Sequence, residues 1–168
     1  MVEQVLEALD GARRVLFVTG AGISADSGLP TYRGVGGLYV DADPPEGMAI
    51  EQVLSGPVFR RNPALTWKYI RQIEEACRGA EPNAAHRAIA AMQDRYEVVV
   101  LTQNVDGLHR AAGSREVVPL HGRLDEVICM ACGTIRPRDA VHDELLRLNP
   151  GWERRGAELL PDGDAVLP

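Results

Sequence analysis

The stretch Val15-Leu16-Phe17-Val18-Thr19-Gly20-Ala21-Gly22-Ile23-Ser24-Ala25-Asp26-Ser27-Gly28-Leu29-Pro30-Thr31-Tyr32-Arg33-Gly34 decides the fold. Its first five residues are apolar and β-rich, which predicts a buried strand over 15–19. The strand runs directly into Gly20-x-Gly22-x-x-Ala25. That is a dinucleotide fingerprint, in which glycines make a tight turn and free backbone N–H groups face a pyrophosphate. A crossover helix should follow for several turns. Here Gly28 and Pro30 stop it almost at once, and the chain continues through Gly34, Gly36 and Gly37. The pattern predicts a cofactor met by a loop as well as by a turn.

On the amino-terminal side, Val2, Val5, Leu6 and Leu9 share a helical face, and Gly11 marks the stop. On the other side, Pro44, Pro45, Gly47, Gly56 and Pro57 make 34–63 loop-like, with one short helical piece at 49–54. Asn62-Pro63 reads as N-cap and first helical residue of a helix to about Arg78, stopped by Gly79. Pro82-Asn83 opens another helix, to about Arg95. A second apolar strand is predicted over 96–102, a short helix near 108–111 and a third strand over 117–120. Beyond Gly122 come a short strand, a Cys129-x-x-Cys132 turn and a helix at about 139–148. This alternation predicts an α/β fold, with a parallel sheet covered by helices on both faces. Ligands bind such sheets outside the carboxyl ends of the strands. Gly20, Thr102 and Leu120 each end a predicted strand, so the motifs after them point at one crevice.

The 168 residues suit one domain, with a net charge of −6 and a pI of about 5.2. No basic patch is visible, and the pairs Arg13-Arg14 and Arg154-Arg155 read as solvated charge, so nucleic acid is not an expected partner. No apolar run is long enough to span a membrane. Met1-Val2-Glu3-Gln4 does not open a signal peptide, and three cysteines make no disulfide framework. A reducing compartment, the cytoplasm, is expected.

Four blocks in order carry a resemblance: 15–34, Thr102-Gln103-Asn104-Val105-Asp106-Gly107-Leu108-His109, Leu120-His121-Gly122 and Cys129-Met130-Ala131-Cys132. Together they resemble the sirtuins, the NAD-dependent protein deacylases. The resemblance covers nearly the whole chain. It implies a Rossmann-like parallel sheet with part of a small zinc-binding module, and acyl transfer from a protein lysine to ADP-ribose with release of nicotinamide. Acylated-lysine proteins would be the partners. In sirtuins the acyl oxygen attacks the sugar carbon as nicotinamide departs, and NAD supplies the reactive centre.

Residue by residue, the resemblance implies that Gly20 and Gly22 admit the pyrophosphate and that Ala21 and Ile23 line the pocket. Arg33 would close over NAD, and Tyr32, where the family commonly has Phe, would shield the sugar face. Gln103 would bind ribose hydroxyls, and Asn104 the ribose and a water. Val105 and Asp106 would grip nicotinamide. For this loop the alternative is Asx-turn chemistry. His121 is the candidate general base, because histidine is the residue type suited to proton transfer near neutral pH and this one follows a strand end; by the resemblance it would activate a ribose hydroxyl. His86 and His109 fall on predicted helices and read as structural, and His142 as exposed. Cys129 and Cys132 would supply half of a four-cysteine structural zinc site. A redox pair is the rival, but it would want a helix start rather than a turn after a strand. Cys77 reads as a small buried hydrophobe.

The chain also departs from the family. No cysteine follows Cys132, and the Phe-Gly-Glu, Gly-Ser-Ser and adenine-end blocks are absent. The segments 148–152 and 161–164 resemble the insertion of class II sirtuins. The resemblance is therefore to the amino-terminal part of a sirtuin: 1–122 within the NAD-binding domain, with 34–62 as cofactor loop, and 123–168 an incomplete zinc module. Members that prefer acidic acyl groups carry a Tyr-x-x-Arg. Aligning on Trp67 and Glu81-Pro82-Asn83-Ala84 puts Ile70 and Ile73 at those places, with Tyr69 and Arg71 out of register, so a neutral acyl group is expected. The alternatives are a mono-ADP-ribosyltransferase or a non-catalytic NAD-binding or interaction fragment. By itself the 168-residue chain is expected to be poorly stable, to hold zinc weakly and to show no turnover.

Overall fold

In the computed structural model, residues 2–29, 48–148 and 150 are described. In chain order the elements are helix α1 (Val2–Asp10), strand β1 (Arg14–Thr19), a 3-10 turn (Ala21–Ser27), and helices α2 (Ile50–Val53), α3 (Gly56–Arg61), α4 (Pro63–Cys77) and α5 (Ala84–Ala91). A second 3-10 turn (Met92–Asp94) leads to β2 (Glu97–Thr102), α6 (Leu108–Ala111) and β3 (Glu116–Pro119). Strands β4 (Glu126–Ile128) and β5 (Ile135–Pro137) and helix α7 (Arg138–Leu148) follow. The chain divides into two compact units, Met1–Pro30 with Gly79–Arg123, and Thr31–Arg78 with Leu124–Pro168.

The first unit is built on a parallel sheet of order β1-β2-β3. Thr19 stands opposite Thr102, and Thr102 opposite Pro119, so the three strands end level. Period-two alternation puts Val98, Val100 and Thr102 on the buried face. There Ile89 of α5 packs on Val98 and Val100, with Phe17, Ile23, Met92, Tyr96 and Val117 around them. On the other face Leu16, Val18, Val118 and Leu120 are exposed, Val18 by 65%. Helix α5 starts where the sequence puts it, because the Asn83 side chain accepts from the N–H groups of Ala85 and His86.

The second unit has a helical part and a small hairpin. Ile50, Val53, Val58, Leu65 and Tyr69 form its core, with Met48 and Leu54 packed against it. Thr66 Oγ1 donates to the Val53 carbonyl at 2.8 Å. Helix α4 begins as predicted, with Asn62 Oδ1 accepting from Leu65 N and Pro63 in the first turn, and Gly79 beyond its end has φ +79°. Helix α3 occupies a stretch expected as loop. Ser55 caps it by accepting from Val58 N, and Pro57 falls in the first turn, where a missing N–H costs nothing. Strand β5, also not expected, pairs antiparallel with β4 across the cysteine turn. Arg138, opening α7, reaches Glu74 of α4 at 3.0 Å. Cys77, expected as a buried hydrophobe, is half-buried at the end of α4.

Candidate functional site

The level ends of β1, β2 and β3 set the site. Two backbone bonds extend the ladders past the strands: Gln103 N donates to Thr19 O at 3.0 Å, and Leu120 N to Thr102 O at 2.8 Å. The Gly20 turn, the 103–106 loop and the 120–122 segment thus leave the same edge of one sheet. His121 is exposed there, and Gly122 beside it has φ +82°.

Gly20 is extended (φ −137°, ψ −171°). A Cβ there would come to 3.9 Å from Gln103 Oε1, and one at Gly22 would meet nothing within 4 Å. The fold itself does not demand glycine at either place; two glycines leave a strip of main chain uncovered. The 3-10 turn then closes at Gly28, whose left-handed φ of +82° lets its N–H return to Ala25 O at 2.9 Å.

Ser24, only 2% exposed, sits at the centre. Its Oγ donates to Asp106 Oδ2 at 2.7 Å and accepts from Asn104 Nδ2 at 3.1 Å. Asn104 Nδ2 also donates to Gly20 O at 3.1 Å, so both its protons are used and Oδ1 is the acceptor it has to offer. The other Asp106 oxygen accepts from Leu108 N at 2.9 Å, an Asx turn that opens α6, with Gly107 between them at φ +74°. The Asx-turn chemistry considered for this loop is present, and in the same residue as the Ser24 bond. Val105 and Ala21 are half-buried and Gln103 exposed. Ile23 is half-buried, packed against the core.

Beneath the turn lies a pair that single-residue reading does not foresee. His86 and His109 are 0% and 2% exposed, with ring centroids 4.8 Å apart in an edge-to-face contact. His109 Nε2 is 2.9 Å from Thr19 Oγ1, and His86 Nδ1 accepts from Asn83 N at 3.4 Å. Burial pushes both imidazoles below their usual pKa. For His109 the neighbouring His86 adds to this; the Asp106 carboxylate opposes it for both. The sequence signal was the helical placement of both histidines, which the structure bears out; His142 is exposed as expected.

Cys129 and Cys132 lie in the second unit, both exposed and free. Cys129 N donates to Thr134 O at 2.9 Å and Gly133 N to Cys129 O at 2.8 Å, which folds the turn around the two sulfurs. Hydrogen bonds from the Thr134 hydroxyl, its backbone and Cys129 pull the Cys132 thiol down to about 7. The two sulfurs of the turn fit one side of a zinc shell. Among the described residues no cluster of three or more metal-ligating side chains accompanies them. Tyr32 and Arg33, with Gly34, Gly36 and Gly37 and the 151–168 segment, lie outside the described residues.

A family model described as the Sir2 family matches residues 20–154. A relative from Pseudomonas syringae pv. tomato, NAD-dependent protein deacylase 2, is 53% identical over 142 residues, covering 83% of this chain and 57% of its own. NAD-dependent protein deacetylase 1 of Mycobacterium avium is 42% identical, covering 96% of this chain and 57% of its own. The chain thus spans little more than half the length of these curated relatives. Among solved structures, a Sir2 homologue in complex with NAD superposes with a TM-score of 0.67 at 36% identity, over 80% of this chain and 51% of that one. A complex of Sir2, p53 peptide and NAD+ gives 0.68 at 27% identity, over all of this chain and 62% of that one.

Proposed function

The chain belongs to the Sir2 family, and from that premise we propose that the protein acts as an NAD-dependent protein-lysine deacylase. One observation carries the reading: three strand ends of one parallel sheet finish level, and the Gly20 turn is bonded to the 103–106 loop through Ser24 and Asn104. A bare main-chain strip at Gly20 and Gly22 suits a pyrophosphate. Ala21 and Ile23 border it; by the family resemblance Arg33 would close over NAD and Tyr32 would shield the sugar face. Gln103 and the free acceptor of Asn104 take ribose hydroxyls. Val105 and Asp106 receive the nicotinamide amide. His121, exposed just beyond the end of β3, would accept the proton of a ribose hydroxyl of the bound cofactor. NAD, when bound, supplies the electrophilic sugar carbon.

Cys129 and Cys132 would hold one side of a structural zinc, tying the β4–β5 hairpin. Zinc chemistry would be confined to that turn, because the residues named for the reaction all belong to other segments. The protein substrate carries an acyl-lysine, and the neutral acyl preference is supported by α4: Ile73 is 6% exposed, and Arg71 pairs with Glu75 at 2.8 Å. The free thiols fit a reducing compartment, the cytoplasm.

The test is incubation of the chain, joined to the family's carboxyl-terminal blocks, with NAD and an acetyl-lysine peptide, with mass spectrometry of the products. Release of nicotinamide together with acetylated ADP-ribose supports deacylation. Transfer of ADP-ribose onto protein without deacetylation supports the alternative chemistry.

A further inference from the structure

We propose that Asn83 is a positioning residue that fixes the Gly20–Ser27 turn to the amino-terminal end of α5; this rests on the reading that the turn meets the pyrophosphate. The side chain has two ends and both are used. Its Oδ1 accepts from Ala85 N at 3.0 Å and His86 N at 3.4 Å, which is ordinary helix capping. Its Nδ2 donates to Ile23 O at 2.7 Å and Ser27 Oγ at 3.1 Å, in a segment 56 to 60 residues earlier. The backbone donors fix which end is oxygen, so the amide nitrogen must face the turn.

The cap end is itself held. Asn83 N donates to the His86 ring, the ring lies against His109, and His109 meets Thr19 Oγ1 at the end of β1. The turn hangs from β1 at Gly20. It is tied by Asn104 on one side and by Asn83 on the other, so neither end can shift independently of the sheet.

Aspartate at this position separates the two jobs. Asn83→Asp keeps an acceptor for the cap, where Asp and Asn serve equally. It replaces the donor to Ile23 O with an oxygen that repels it. Hydrogen exchange is read at Ile23, Gly28 and Leu29, whose N–H groups bond to Gly20 O, Ala25 O and Ser24 O, and at Arg87, bonded to Asn83 O. The turn amides should exchange about fivefold faster or more, as loss of one hydrogen bond implies, with Arg87 and Val100 unchanged. Asn83→Ala should speed both the turn and Arg87. Turn amides at the wild-type rate in Asn83→Asp, or a rise shared equally with Arg87, would overturn the proposal. A parallel NAD titration tests the other reading separately. Severalfold weaker binding in Asn83→Asp joins the two; wild-type protein that does not bind NAD refutes the cofactor reading, while the exchange pattern still decides the role of Asn83.

Discussion

Ser24 Oγ donates to Asp106 Oδ2 at 2.7 Å across 82 residues of sequence. The same hydroxyl accepts from Asn104, so one buried atom ties the first motif of the chain to the second.

Ser24→Ala should therefore act at three places. Asp106 loses a donor, one Asn104 proton loses its acceptor, and the turn is left holding the 103–106 loop through the Asn104 bond to Gly20 O. A hydrogen bond to a charged group contributes about 1.5–3 kcal/mol, less where water reaches the carboxylate. A loss of about 1–2 kcal/mol in urea unfolding is expected, with weaker NAD binding. Unchanged stability would mean the bond is not formed in solution.

The buried histidines set a pH dependence. Both are held neutral in the fold with pKa values below the usual, whereas the unfolded rings take up protons at about pH 6.5. The unfolded state then binds more protons, so this contribution to stability is whole above about pH 6.5 and is lost as pH falls toward the folded values. Protonating His86 would also put a hydrogen against the Asn83 N–H that it now accepts. Thermal unfolding should drop between pH 7 and pH 5.5, and more steeply than in His86→Leu. Parallel pH curves for the two proteins would count against this.

How much of this was legible in the sequence differs by residue. The three strands, the cap at Asn62 and the stops at Gly28 and Gly79 were legible, because each depends on neighbours within a few residues. Helix α3 was not, because Gly56-Pro57 reads as a breaker unless Ser55 is recognised as the cap before it. Strand β5 is three exposed residues ending in proline, too short to show a period. Asn83 was legible as a helix opener but not as a donor to Ile23, and the His86–His109 contact joins positions 23 apart on two helices. Ser24 stood inside the decisive stretch, yet nothing local to it announces Asp106. Those partners exist only once the sheet has brought its strand ends level.

In a chain joined to the family's carboxyl-terminal blocks, His121→Ala should lower deacylation turnover by about a hundredfold or more, the usual scale for a lost acid–base group, while NAD binding changes little. Steady-state kinetics beside a binding titration separates the two. Near-wild-type turnover would remove His121 from its role.

On the reading that Ile70 and Ile73 hold the acyl-selecting places of α4, a chain joined to the family's carboxyl-terminal blocks should give a higher kcat/KM for an acetyl-lysine peptide than for the succinyl analogue. The two positions offer a carboxylate only aliphatic side chains, and Arg71 beside them is paired with Glu75. Competition between the two peptides in one reaction measures the ratio directly, and a ratio at or below one would reverse the assignment.

The exposed face of the sheet has a consequence for solution behaviour. Leu16, Val18, Val118 and Leu120 are 60%, 65%, 42% and 49% exposed in the folded chain. Surface that already meets water in the native state is not newly uncovered when the chain unfolds, and the denaturant slope scales with newly uncovered surface. Their share of the surface uncovered on unfolding is correspondingly small, so a polar change such as Val18→Thr should move the stability read from urea unfolding by no more than about 0.5 kcal/mol, as at other exposed positions.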